Sequence, residues 1–300
     1  MATLTFPLAG PLDRAAGAML GSAPGIDFDF LTPSGEEALI PADSVSWRIF
    51  KNPVTLFVGG VAAVLLELAE PKVRDGVWQH SSFRTDPMTR LRRTGLAAMV
   101  TVYGARSKAE QMIAGVVRAH GNVTGTTSEG LAYRANDPIL LDWVQATASF
   151  GFVEAYHHYA RPLSGAERDL AYAEGAVPAR LYGAHGAPGS REEVRKLFAD
   201  MDTRLVHSPI IAEFMAIMTR VEVLPRAMAP LQRAILRAAA GLVPGPLVRR
   251  LGLADWQPNR LDRAMVRTAA RGAERIVLRS APPAQAAMRL GLPAAWAYRR

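Results

Sequence analysis

The run from Ile139 to about Tyr159 constrains the fold more than any other stretch of the chain. Leu141, Trp143, Val144, Phe150, Phe152, Val153 and Tyr156 make it apolar on nearly every side. A helix of that kind has to be enclosed by other elements, so the segment belongs at the centre of a helical bundle. Asp137-Pro138 supplies its start, an N-cap residue followed by a proline already shaped for the first helical position, and Arg161-Pro162 ends it. Along this helix Leu141, Gln145, Ala148 and Phe152 share a face. The Gln145 amide therefore points where only apolar groups or a polar ligand belong. His157-His158 lies near the end, where hydrogen bonding to the helix terminus is the default role.

The remaining segments provide partners of the same kind. Asn52-Pro53 opens an apolar helix reaching about Ala69, Pro71 breaks it, and Val73 to Gln79 forms a short helix before Asp86-Pro87 opens the next. Capping boxes at Ser107-Lys108-Ala109-Glu110, Ser164-Gly165-Ala166-Glu167 and Ser190-Arg191-Glu192-Glu193 start three more, the second of them running to about Gly175. Ser208-Pro209 begins a helix with Ile211, Phe214, Met215 and Met218 on its apolar side, and from Leu224 short helices alternate with prolines. Residues 121–137 read as a loop rich in glycine and threonine. Nowhere does sustained apolar/polar alternation with β-branched enrichment mark a strand. The expected architecture is one all-α domain: residues 1–42 as an N-terminal arm, 43–220 as the helical core, and 221–300 as additional C-terminal helices of the same domain.

Composition narrows the chemistry. Three hundred residues, 49% of them hydrophobic, can fill a large core. The net charge of +8 comes mostly from arginines scattered along the chain, the pattern of a solvated surface. With no helix-turn-helix, zinc-finger or RNA-recognition signature, nucleic acid is not an expected partner. The absence of cysteine excludes disulfides, thiolate catalysis, cysteine-ligated iron–sulfur clusters and thiolate or c-type haem attachment, and it fits a cytoplasmic location. The first 25 residues lack a secretory pattern. The longest apolar stretch, Val54 to Leu66, is too short to span a bilayer, and Arg300 ends the chain without a lipidation motif, so membrane contact is expected to be peripheral at most.

Two motifs carry chemical interest. After Asp86-Pro87, the residues Arg90, Arg93, Thr94, Ala97 and Thr101 fall on one helical face, which sets two guanidinium groups and two hydroxyls looking the same way. They form either a solvated front turn or, if buried, a site that needs an anion or polar ligand. In the next helix His120 follows Ile113, Val116 and Val117 at spacings of seven, four and three, at the end of an apolar stripe. It is either a core histidine bonded to a nearby carbonyl or an axial metal ligand presented into an apolar pocket, as haem iron requires. There is no phosphate loop, no Gly-x-Ser-x-Gly elbow, no His-Glu-x-x-His and no repeated Glu-x-x-His. Gly121-Asn122-Val123-Thr124-Gly125 follows a helix, outside the dinucleotide context. Among metal cofactors, a non-covalent haem held by one histidine fits this inventory best.

Several strings together resemble a known family. Residues 70–83 (Glu70-Pro71-Lys72 through Ser81-Ser82-Phe83), Asp86-Pro87, Arg90-Leu91-Arg92-Arg93-Thr94, Val117-Arg118-Ala119-His120, Tyr133-Arg134-Ala135-Asn136-Asp137-Pro138, Trp143-Val144-Gln145-Ala146-Thr147 and Arg161-Pro162-Leu163-Ser164 are similar to the catalytic domain of oxygenase MpaB and rubber oxygenase (latex clearing protein). The resemblance covers roughly residues 43 to 220 and is weaker beyond. It implies a globin-like helical core holding haem b, a histidine as the iron's ligand, and use of O2 to cleave carbon–carbon double bonds in isoprenoid chains. Carried onto this chain, His120 matches the metal ligand, Arg90 and Thr94 match polar residues beside the haem, and Gln145 falls at a further cofactor-side position. Arg90, Thr94 and Arg93 are thus the candidate catalytic residues, and His120, Arg90 and Gln145 the candidate cofactor-binding ones. Glu70 or Asp86 is the candidate base.

Two positions depart from the family pattern. Arg93 stands where rubber oxygenases have a lysine able to bind the iron, and a guanidinium stays protonated. The expected iron is therefore five-coordinate or water-bound. Gln145 stands where many members have histidine. The expected activity is oxygenation of a small hydrophobic, unsaturated substrate. The alternatives are a haem- or ligand-binding protein without turnover, and a helical protein that has lost the cofactor and keeps His120 as a core residue.

Overall fold

The computed structural model describes residues 22–23 and 25–299. Most of the expected N-terminal arm's first half, and the final Arg300, lie outside the described residues. Thirteen α-helices follow a two-residue antiparallel pairing of β1 (Ser22–Ala23) with β2 (Ile26–Asp27). They are α1 (Val45–Phe50), α2 (Pro53–Glu67), α3 (Pro71–His80), α4 (Pro87–Tyr103), α5 (Arg106–Gly121), α6 (Pro138–Ala155), α7 (Gly165–Tyr182), α8 (Arg191–Met201), α9 (Pro209–Arg220), α10 (Ala229–Ala240), α11 (Gly245–Arg250), α12 (Arg260–Ala273) and α13 (Pro282–Arg289). The fold is all-α, as the patterning requires. Among the described residues, no single helix is long and apolar enough to cross a membrane.

The expected starts are realised where a side chain can reach the first free N–H groups. Asn52, Asp86, Asp137 and Ser208 each cap a helix whose first residue is proline. The Ser164–Glu167 capping box is complete. At Ser190 only half of one forms, because the Glu193 carboxylate accepts from Gly189 N–H instead. The box at Ser107 does not form. α5 begins two residues earlier, with Ala105 at its N-cap, and both the N–H and the hydroxyl of Ser107 donate to the Glu36 carboxylate. That cap arrives from a distant part of the chain and leaves no local signature.

Other boundaries also differ. α7 does not stop at Gly175 but continues through Pro178 to Tyr182. Tyr172, Ala176 and Ala179 keep its inner face buried, and Gly183, at φ 94°, ends it in the left-handed region. The segment expected to be a loop contains a hairpin, β3 (Thr124–Thr126) with β4 (Ala132–Arg134). Each strand is three residues long, too short for alternation to register in sequence. Tyr133 is the inward residue, and its hydroxyl donates to Gln79 and lies 3.1 Å from His80 Nε2. α6 closes in a π-helical turn, Tyr156–Ala160. There His157 Nδ1 accepts from Leu163 N–H, the terminus-satisfying role expected of that pair.

α2 and α6 form the central pair. Gly59 and Gly151 let their backbones touch: a Cβ on Gly59 would sit 2.7 Å from the Gly151 carbonyl oxygen. α10 and α12 cover α2 from the far side, and α7 and α8 flank α6. Two separate hydrophobic cores result. The larger gathers Val58, Leu65, Trp143, Phe214, Ile235 and Val266. The smaller gathers Phe30, Ile40, Trp47, Leu96, Tyr103 and Ile113, and Phe50 packs against both. α4 and α5 belong to the smaller core. They lean on each other, on α1 and on α7, and make few close contacts with α2 or α6 beyond Leu56; the space between the two pairs is the candidate cleft.

Gly59→Ala should drive the central pair apart. The expected loss is about 3 kcal/mol, the upper end of ordinary overpacking costs, seen as a lowered midpoint in thermal or urea denaturation.

Candidate functional site

The cleft is visible in which residues of the most enclosed helices stay accessible. On α2, Leu56, Gly60, Val64 and Glu67 are only half-buried, while Val58, Ala62, Leu65 and Leu66 on its other faces are sealed. On α6 the same holds for Leu141, Gln145, Ala148 and Phe152, while Leu140, Trp143, Ala146 and Thr147 are sealed. These two stripes face the same gap. From the opposite side α4 presents Arg90, Ala97 and Thr101, α5 presents Val117 and His120, and α7 closes one end with Gly175 and Tyr182. Thr101 Oγ1 and the Tyr182 hydroxyl lie 3.0 Å apart and tie α4 to α7. The walls are mostly apolar, with few polar groups set into them, the usual make-up of a small-molecule site.

Those polar groups are under electrostatic tension. Glu67, in the last turn of α2, is half-buried, and its desolvation raises the carboxyl to about 7, against the opposing pull of Arg90 and the Thr147 hydroxyl. Burial likewise lowers Arg90, with the charge of Glu67 working against it and that of Arg93 adding to it. Neither a hydrogen bond nor an ion pair within 4.0 Å engages the Arg90 guanidinium among the described residues. Burial, and then the Arg90 charge, lower His120 as well, so its imidazole is neutral at pH 7. His120 Nδ1 is buried and has no hydrogen-bond partner among the described residues. The core reading of His120, a ring satisfied by a nearby carbonyl, fails on that atom. A buried polar atom left unpaired costs on the order of 1–3 kcal/mol and calls for a ligand.

Arg90 acts on both Glu67 and His120 across the cleft. Gln145 sits on the same wall as expected, with its Nε2 donating to Ser149 Oγ at 3.2 Å and to the Gly175 carbonyl at 3.4 Å. Arg93 and Thr94 lie one turn beyond Arg90 on the exposed part of α4. The Thr94 hydroxyl donates to the Arg90 carbonyl of its own helix, so the shared face is deep at Arg90 and open at its neighbours.

The two candidate bases are structural. Glu70 caps α3 and pairs with Arg204 at 2.6 Å, and exposed Asp86 caps α4 by accepting Thr89 N–H. The carboxylate that does face the cleft, Glu67, went unremarked in the sequence, where it marks the end of an apolar run. The available signal was its spacing of eleven, seven and three from Leu56, Gly60 and Val64, on the face opposite the sealed one.

Fold and site together define an all-α protein with an apolar cleft holding a neutral histidine, an unpaired arginine and a carboxyl poised near neutrality. The family model for the ER-bound oxygenase mpaB/B' and rubber oxygenase catalytic domain matches residues 47–275, and the chain belongs to that family. The match runs past residue 220 and takes in α9 to α12. No curated protein and no solved structure matches the chain.

A carboxyl raised from 4.5 to about 7 binds its proton more tightly in the folded state. The stability it confers is complete below about pH 4.5 and is lost as pH rises through about 7. Wild type should therefore weaken relative to Glu67→Gln over that interval, by at most about 3 kcal/mol, measured by urea unfolding at a series of pH values.

Proposed function

We propose that the protein is a haem b-dependent oxygenase that uses O2 on a small hydrophobic, unsaturated substrate of isoprenoid type. Membership of an oxygenase family supports the class of reaction. The observation that carries the cofactor is the His120 ring: neutral, at the end of an apolar stripe, with a buried nitrogen that nothing among the described residues satisfies. Among the described residues, no group of three or more histidine, cysteine, aspartate or glutamate side chains gathers to hold a metal ion. A lone histidine suits a metal whose remaining ligands come from a macrocycle.

The residues present fit that group. His120 would hold the iron, and Arg90, a desolvated cation without an ion-pair partner, would pair with a haem carboxylate. When bound, haem supplies the iron centre at which O2 is activated. The chain's own contribution is orientation and proton management. The stripes of α2 and α6 exclude water and align an apolar chain along the cleft. Glu67 holds or releases a proton near pH 7 at its carboxyl, close enough to Arg90 that the cation favours its ionised form. It is a better general base than either capping carboxylate. Arg93 and Thr94 stand at the open end of the same helical face, where they contact what enters. Arg93 cannot surrender a proton to become a metal ligand, so a second nitrogen ligand to the iron is not expected.

The test is the absorption spectrum of protein purified from haem-supplemented cells, beside His120→Ala. Wild type should show a strong haem band that is lost or shifted in the variant, should lack the paramagnetic signature of two nitrogen ligands, and should consume O2 with an unsaturated isoprenoid. Protein that stays colourless after added haemin refutes the cofactor. A haem band without O2 consumption on any such substrate favours binding without turnover.

A further inference from the structure

We infer that the cleft selects a substrate carrying a hydroxyl group and that Gln145 is the residue that receives it. The inference rests on the oxygenase reading only in taking the cleft as the substrate site. A carboxamide offers two N–H donors and one carbonyl acceptor. The Nε2 donors of Gln145 are taken up by the protein itself, at Ser149 Oγ 3.2 Å away and the Gly175 carbonyl 3.4 Å away. The Gly175 contact fixes which end of the amide is which, since turning the group over would set two carbonyl oxygens against each other.

Gly175 leaves room for that contact: a Cβ there would stand 3.4 Å from Ser149 Oγ and 3.7 Å from Gln145 Nε2. The consequence is that Oε1, an acceptor with no partner among the described residues, is left over on the face that Gln145 shares with Leu141, Ala148 and Phe152.

An acceptor standing in an apolar wall discriminates. A haem offers it nothing, because its carboxylates are acceptors and its ring edges are apolar. A hydrocarbon chain likewise leaves Oε1 desolvated and unpaired. A cationic amine would have to be desolvated beside Arg90, at far greater cost than a neutral donor. A hydroxyl supplies one proton at no cost in charge, and it places the rest of an unsaturated chain along the stripes of α2 and α6. Gln145 is therefore a specificity-determining residue, positioned by Ser149 and Gly175, and the preferred substrate class is an unsaturated apolar alcohol.

The experiment compares the binding of farnesol, farnesyl methyl ether and farnesene to the full chain by equilibrium dialysis, with and without added haemin. The ether keeps the oxygen and removes the donor. Wild type should bind farnesol about tenfold more tightly than the ether, the yield of one net hydrogen bond. Gln145→Leu should bring the two to parity by weakening the alcohol alone, and Ser149→Ala should narrow the gap without closing it. Equal binding of alcohol and ether by wild type overturns the proposal whether or not the variants fold, and so does a preference that survives Gln145→Leu. If all three ligands bind alike, only the hydroxyl requirement fails and the oxygenase reading stands. If none binds, the cleft is not the substrate site and that reading falls with it.

Discussion

The backbone contact between Gly59 and Gly151 is what the rest of the structure depends on. Because neither residue carries a Cβ, α2 and α6 approach until one helix's carbonyl meets the other's Cα. That closeness lets Val58, Leu65 and Trp143 fill one continuous core on the far side. It also turns the remaining faces of both helices, Leu56 to Glu67 and Leu141 to Phe152, toward the same gap. Separation at this point by even one methyl group would rotate or spread both stripes, and the polar residues on them would lose their common orientation. The site is thus set by a contact that contains no functional atom.

The electrostatics of the cleft follow from the same geometry. Burial acts on three groups in the direction expected of each: it favours the protonated form of Glu67 and disfavours the charged forms of Arg90 and His120. Arg90 acts on both of the others. It holds Glu67 lower than burial alone would leave it and His120 lower still. Burial thus keeps the imidazole neutral and brings the carboxyl near pH 7, with one cation adding to the first shift and opposing the second.

What could be read from the amino-acid sequence depended on how local each signal is. The uniformly apolar run after Asp137-Pro138 and the proline-preceding caps at Asn52, Asp86 and Ser208 are decided within one or two turns, and the helices they announce are present. Gln145 was likewise legible, as a polar residue at a position shared with Leu141, Ala148 and Phe152. The misses are long-range. The start of α5 is satisfied by Glu36, and the end of α7 is decided by what its buried face packs against. Glu67 looked like a polar stop to an apolar helix until the position of α4 placed Arg90 opposite. Glu70 and Asp86 were the candidate bases, yet each caps a helix N-terminus, and the second oxygen of Glu70 pairs with Arg204. Spacing within a helix reports which residues share a face, and only the packing of other helices reports what that face looks upon.

The division of the interior into two cores has a further consequence. Each is filled by its own side chains, and Phe50 is a residue common to both, so the gap between them is a seam in the hydrophobic interior. A ligand with apolar flanks that settles there converts the seam into continuous packing, and its binding energy becomes part of the folding energy of the whole domain. The guest then acts as a keystone: the same atoms that are substrate or cofactor to the chemistry are, to the fold, the missing middle of a single core.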